Sequence, residues 1–463
     1  MSRMFSFLAD RMGWQRYLAP FFSKVLPGGS SWKYTVGTLC TLLFVVQAVT
    51  GMVLAMYYTP TPELAYTSVE YVAREVWGGK LLIGIHHWTA GAMVFLVFVH
   101  LLTVYFSAGF KKPRELTWIL GVGLLVVTLG FGFTGYLLPW DQKAFWATVV
   151  GTHAAGDVPW IGEWVTRLFK GGAEVSGLTL TRFYSIHMLV LPALFIGLIA
   201  AHIYLVRVHG LSVSDRVRPE EMKRPYAFFP EHMQKSSTIF AVLLAAVFAL
   251  AYLLGVSREN VAGTIDPSYL PRPEWYYMWL FQLLTYFSGP LEVIGTVLIP
   301  IGGLCIVIAV PFLEKNTHHQ PGKRPVPVAL GVTGLMALIF LTLMGFDGAR
   351  SYGQEVVVPK RVLTAAESKG LNVFVHEECS YCHTILGRGG RRSGPDLSNV
   401  VAKGRDREWL SRAISNPQTL SAWNEMPAYE LNNDDLESLV AFLQALDFRD
   451  GHRLQRVGKN KAP

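Results

Sequence analysis

The chain predicts an all-α fold: a transmembrane bundle of about seven helices followed by a small soluble α-helical domain. Two observations predict it. Half of the 463 residues are apolar and only 16% are charged, a balance too greasy for an ordinary soluble enzyme. The apolar residues gather into runs long enough to cross roughly 30 Å of hydrocarbon, whereas the composition beyond Phe346 is that of a soluble protein.

The expected spans are Tyr34–Tyr57, Leu81–Phe106, Trp118–Leu138, Phe183–Val206, Thr238–Leu254, Val293–Phe312 and Val326–Phe346, the fifth being short. The net charge of +8 does not indicate nucleic acid, because the basic residues fall in short loops between apolar runs. With the N-terminus inside, the inner segments carry 17 Lys and Arg in 88 positions and the outer loops 8 in 105. That bias places the N-terminus in the cytoplasm. Seven crossings then put everything after Phe346 on the outer side. The four cysteines are Cys40, Cys305, Cys379 and Cys382; two lie in apolar runs and two form a C-x-x-C, which is not a disulfide scaffold.

Histidines inside apolar spans are costly and point to a task. His86 and His100 lie fourteen residues apart on the second span, and His187 and His202 fifteen apart on the fourth. Fourteen residues is almost four turns, so one helix face carries both imidazoles about 21 Å apart; fifteen adds about 60° and keeps them on one broad face. Both spans run from outside to inside. His86 therefore meets His187 near the outer surface, and His100 meets His202 near the inner one. Each pair is able to hold an iron from two sides. A single membrane histidine is as readily a hydrogen-bonding group between helices, but two matched spacings favour metal ligation. His87 has no matched partner and reads as structural. Gly37 and Gly51 on the first span, and Gly121 and Gly135 on the third, repeat the fourteen-residue spacing. Small-residue helix packing would explain them; the shared spacing favours clearance for a flat macrocycle.

The segments IHHWTA–GAMVFLVFVH, FKKPRELTWILGVGLL, GFGFTGYLLPWDQ and LTRFYSIHMLVLP closely resemble cytochrome b of the Rieske/cytochrome b complexes. The fifteen-residue gap is similar to the chloroplast and cyanobacterial branch. Residues 225–346 resemble that branch's subunit four, with its PEWY signature at Pro273, Glu274, Trp275 and Tyr276. The resemblance implies two non-covalent b-type haems and quinol oxidation in an outer pocket. Glu274 and Tyr276 would carry the catalysis there, with Pro139–Trp146 as the facing wall. Glu274 amid apolar and aromatic neighbours suits proton exchange; a glutamate at a helix start is also favourable next to the dipole. Arg207, near the inner end of the fourth span, matches a basic position of the family's inner quinone site, but no acidic partner is evident near the N-terminus. Where the chloroplast branch tethers an extra haem through a cysteine, this chain carries Thr35, with Cys40 more than a turn further on.

Cys379-Ser380-Tyr381-Cys382-His383 is the C-x-x-C-H pattern for one covalent c-type haem, with His383 as an iron ligand. The competing zinc site would need His376. Met426 is the only methionine after His383 and sits before an amphipathic helix expected at Asp434–Leu446. It is the candidate sixth ligand, a thioether that raises the potential; His452 competes from the tail. The layout, with Gly394–Leu397 reading GPDL, resembles a small class I cytochrome c.

The expected organisation is a haem-binding bundle over 1–224, the subunit-four-like part over 225–346 and a linker over 347–361. A cytochrome c domain over 362–449 and a loose basic tail over 450–463 complete it. Together these imply a quinol:cytochrome c oxidoreductase core in a bacterial cytoplasmic membrane that bifurcates the two electrons of quinol. No cysteine–histidine set for a Rieske cluster is present in the sequence, so a separate Rieske iron–sulfur protein is an expected partner. A cytochrome c or other electron acceptor, quinol as substrate and quinone as product, and a homodimeric arrangement are expected as well. The alternative is a passive transmembrane electron conduit without quinol chemistry.

Overall fold

Backbone inside a bilayer must satisfy its hydrogen bonds within its own segment, which selects helices. The structure, a computed structural model, describes residues 7, 11, 26, 32–172, 175–212, 226–262, 272–287, 291–347, 355–359, 361–377, 379–386, 388–389, 394–420, 426, 428–429, 431–448 and 454–458. Two compact units divide the chain: residues 1–262 with 273–340, and residues 263–272 with 341–463. Among the described residues, seven helices are long and apolar enough to cross a membrane, so the chain is a multi-pass membrane protein.

In the first unit, α1 (Trp32–Ala55) is the first span, followed by the short helix α2 (Ala65–Arg74) and the second span α3 (Gly79–Phe106). The third span is α4 (Glu115–Tyr136); α5 (Gln142–Gly156) and α6 (Gly162–Lys170) follow it. The fourth span begins as α7 (Gly177–Ser185), widens into a π-helical turn at Ile186–Val190 and continues as α8 (Leu191–His209). Pro192 explains the widening, because it has no N–H to give to the preceding turn. The extra residue is absorbed there. The 60° offset expected from a fifteen-residue spacing is therefore taken up by the turn that contains His187.

The fifth span is longer than the sequence suggested. Helix α9 (Met233–Leu253) follows a wide turn at Phe228–His232. Gln234, Lys235, Ser236 and Ser237 lower the hydropathy of its first turns, and a window that weighs composition alone stops short of them. Then come the short α10 (Met278–Leu284), the sixth span α11 (Ile299–Leu313), again behind a wide turn (Ile294–Leu298), and the seventh, α12 (Pro325–Asp347). The first four spans share a core of Leu43, Met93, Leu124, Val127 and Phe195. Within it the rings of Phe44 and Phe195 stack 4.2 Å apart. At the ends of α3, α11 and α12, Arg324 is fully buried. It forks onto both oxygens of Glu314 at 2.5 Å and donates to the carbonyls of Tyr105 and Phe106.

The second unit is built around two crossed helices. Thr364 and Glu367 form a reciprocal cap on α13 (Ala365–His376). After α14 (Arg407–Ser415), Asn432 accepts from the Asp435 amide to start α15 (Asn433–Ala445), within one residue of the expected boundaries. Helices α13 and α15 touch at Gly370, where a Cβ would lie 1.9 Å from the Ser438 carbonyl oxygen. Phe374 and Phe442 pack beside the crossing with centroids 5.4 Å apart. The expected linker and loose tail each hold a strand. Glu355–Pro359 pairs antiparallel with Leu454–Gly458, and Val356 and Val358 alternate into the core of the unit. The rest of the tail, with His452, lies outside the described residues.

Candidate functional site

All four intramembrane histidines come together in pairs. His86 is within electrostatic reach of His187, and His100 of His202. A histidine that ligates a metal usually gives its other ring nitrogen to a fixed acceptor. Thr50 Oγ1 lies 2.8 Å from His86 Nδ1, and Thr134 Oγ1 lies 2.9 Å from His187 Nδ1. His202 Nδ1 stands 3.0 Å from the Thr117 carbonyl. These contacts hold the three rings by Nδ1 and leave Nε2 for an iron. His100 Nδ1 is buried without a hydrogen-bond partner among the described residues.

The four glycines face these same rings. A Cβ on Gly37 would lie 3.2 Å from Cε1 of His100, one on Gly51 3.2 Å from that of His86, and one on Gly121 3.3 Å from that of His202. At Gly135 the distance to Cε1 of His187 is 2.8 Å. The first and third spans thus press glycine backbone against imidazole, where the spacing alone had suggested macrocycle clearance or small-residue helix packing. The threonines were missed. Their signal was present: Thr50-Gly51 and Thr134-Gly135 are the same dipeptide at matching positions of two spans.

Glu274 precedes a short helical turn at Trp275–Tyr277. The facing segment Pro139–Trp146 lies alongside residues 260–262: Gln142 N donates to the Asn260 carbonyl at 2.8 Å, and Ala262 N to that of Trp140 at 3.1 Å. Asp141 caps α5 by accepting from Ala144 N, and burial pushes its own carboxyl above the usual range. From the first turn of that helix, Lys143 Nζ reaches Glu274 Oε1 at 3.1 Å, a contact that the sequence did not announce. Tyr276 lies over Gly132, where a Cβ would be 2.9 Å from its hydroxyl. Burial, reinforced by the Glu274 carboxylate, pushes the Tyr276 phenol well above its ordinary value, so it stays protonated. Tyr277 donates to the Leu129 carbonyl at 2.5 Å and anchors the motif on α4. His87 lies within electrostatic reach of both Glu274 and Lys143. On the fourth span, Arg207 stacks over the Phe228 ring, 4.3 Å from its centroid. Thr35 is buried on the first span and Cys40 partly so.

In the second unit, Cys379 and Met426 pack against one apolar core. Burial pushes the Cys379 thiol up to about 12. His383 Nδ1 lies 2.9 Å from the Pro395 carbonyl, so its Nε2 is the nitrogen left for iron. A Cβ on Gly394 would lie 2.5 Å from the Cys382 carbonyl oxygen, which demands glycine there. His376, needed for a zinc site, is exposed and pairs with Glu377 at 3.0 Å. The donor sets thus fit b-type haem in the membrane unit and c-type haem in the second unit.

Comparison with known proteins agrees with this geometry. Residues 21–210 match the family described as cytochrome b/b6/petB, residues 266–364 that of cytochrome b(C-terminal)/b6/petD, and residues 367–447 that of cytochrome c. The cytochrome bc complex cytochrome b subunit of Chlorobaculum thiosulfatiphilum is 36% identical over 317 residues, which are 68% of this chain and 72% of that one. Cytochrome b6 of Heliobacterium mobile is 47% identical over 179 residues, 39% of this chain and 84% of that protein. A solved structure titled hyperthermophilic respiratory Complex III superposes with a TM-score of 0.64 at 25% identity, covering 74% of this chain and 93% of that one. Paired membrane histidines, a PEWY motif and a C-x-x-C-H site on one polypeptide place this chain in the cytochrome b family of cytochrome bc-type complexes, as a quinol–cytochrome c reductase subunit that carries its own cytochrome c domain.

Proposed function

We propose that this chain oxidises quinol in a pocket on the outer side of the membrane and sends the two electrons along separate routes. The observation that carries this reading is Glu274, held at the mouth of an aromatic-walled motif and facing Lys143 at 3.1 Å. A carboxylate so placed accepts a proton from a quinol hydroxyl, while Tyr276 remains a hydroxyl donor able to orient the substrate oxygen. Trp275 and Tyr277 pack on the Tyr276 ring, and Tyr136 and Phe133 pack on Tyr277, which keeps the motif apolar.

Two b-type haems held by His86/His187 and His100/His202, and one c-type haem on Cys379 and Cys382 with His383 and Met426, supply one-electron carriers when bound. One electron leaves through a Rieske iron–sulfur protein on a separate polypeptide toward a cytochrome c or similar acceptor. The other crosses to the inner side, where Arg207 would help hold the quinone to be reduced. Protons are released outside and taken up inside. The orientation is N-terminus in the cytoplasm and cytochrome c domain outside, in a bacterial cytoplasmic membrane, with a homodimer as the assembly.

The test is Glu274→Gln in the purified complex. Quinol-dependent cytochrome c reduction should fall by about 10²-fold while haem spectra stay normal. An unchanged rate would leave a passive conduit as the better description.

A further inference from the structure

Resting on that reading of Glu274, we infer that Lys143 is a positioning residue for quinol oxidation: it holds the Glu274 carboxylate ready to accept a proton and then drives that proton onward. The two side chains are joined at 3.1 Å with 29% and 16% of their surfaces exposed. Exposed ion pairs are worth little, but this one is largely withdrawn from water, so the ammonium acts on the carboxylate at reduced screening. Lys143 is also fixed in direction. It occupies the first turn of α5, whose start is pinned by the Asp141 cap and by the Gln142–Asn260 hydrogen bond.

The other groups facing Glu274 are His87 from α3, Tyr136 from α4 and Tyr276 from its own motif; Asp141 faces Lys143. Among these, Lys143 is the side chain in direct contact as a cation. Its effect has two stages. Before reaction the ammonium holds the carboxylate in place through a charged hydrogen bond, and the carboxylate is the form that accepts the quinol proton. For one of the two quinol protons, the O–H bond of quinol breaks and a carboxylic O–H forms on Glu274; the second proton is released to the outer side, and the two electrons leave by the two routes above. The ion pair is then lost, and an ammonium stands beside a neutral acid with no counter-charge. Release of the proton toward the outer side restores the pair. Lys143 therefore positions the carboxylate for the transfer and favours release of the proton afterwards, acting through Glu274.

The experiment uses the purified complex with a synthetic short-chain quinol, following cytochrome c reduction from pH 5 to pH 9. Lys143→Met should lower kcat about tenfold. KM should change less than twofold. Lys143→Arg should restore the wild-type profile, and Lys143→Met added to Glu274→Gln should change nothing further. Haem spectra report folding, and Lys143→Gln serves if the Met variant loses haem. Superimposable profiles for wild type and both neutral variants, with Glu274→Gln still slow, would overturn the role of Lys143 alone. A Glu274→Gln enzyme as fast as wild type would overturn the underlying reading and this inference with it.

Discussion

Gly135 and His187 are in such close contact that a methyl on the glycine would sit 2.8 Å from Cε1 of the imidazole. The equivalent distances at Gly37, Gly51 and Gly121 are 3.2 to 3.3 Å. The imidazole at the π-helical turn is thus the most tightly confined of the four, and it should respond most sharply to added volume.

Gly135→Ala should displace the His187 ring and deplete one b-type haem, at a cost of about 1–3 kcal/mol from overpacking. Gly37→Ala, with a few tenths of an ångström more room, should retain more haem. A pyridine haemochrome assay of the two purified variants measures the difference. Equal, full occupancy in both would contradict the confinement.

Thr134→Val removes the hydroxyl that holds His187 Nδ1 at 2.9 Å, and Thr50→Val does the same for His86. Loss of such an outer partner typically weakens metal-site affinity 10- to 100-fold. Each variant should release its b-type haem more readily in a detergent challenge and shift that haem's midpoint potential. Potentials identical to wild type would show that the threonines orient nothing.

Arg324→Ala leaves the Glu314 carboxylate buried without its bidentate partner, a change worth about 3–5 kcal/mol. Burial pushes the Glu314 carboxyl up, but the hydrogen bonds from Arg324 and Lys111 outweigh it and hold the group below its ordinary value of 4.5. A depressed carboxylate contributes stability that is present above the unfolded value and is lost as pH falls through the folded one. Thermal unfolding of the detergent-solubilised protein should therefore show Tm falling as pH drops below about 4.5 in wild type. In Arg324→Ala, Tm should already be low at neutral pH and that acid-dependent fall should be smaller.

Gly370→Ala places a Cβ 1.9 Å from the Ser438 carbonyl and forces α13 away from α15. The second unit should lose at least 1–3 kcal/mol and accumulate less covalent haem, while the b-type haems remain. A haem stain of the denatured polypeptide beside the b-haem spectrum separates the two effects.

Met426→Ala tests the sixth ligand. Both Met426 and Cys379 border the same core, and loss of a thioether ligand should lower the c-haem potential in a redox titration. An unchanged potential would return attention to His452.

Much of this protein was legible in its residues because lipid imposes a short list of solutions. An apolar run of bilayer length must be a helix, so the seven spans and their histidine and glycine spacings could be read directly. The C-x-x-C-H motif and the capping of α15 were equally local signals. Contacts across sequence distance were not. The π-helical turn before Pro192 corrects the fifteen-residue spacing, yet nothing in the count of residues says that a turn will widen. Gly370 reads as a weak helix position until α15 is laid across it. Lys143 reads as a loop lysine until the fold brings Glu274 to it. Sequence determined which groups the chain could offer and on which helix face, because helical periodicity is a property of one segment. Only tertiary structure decided what holds Nδ1 of His86, His187 and His202 and which cation meets the carboxylate, because those choices depend on atoms that a second segment supplies.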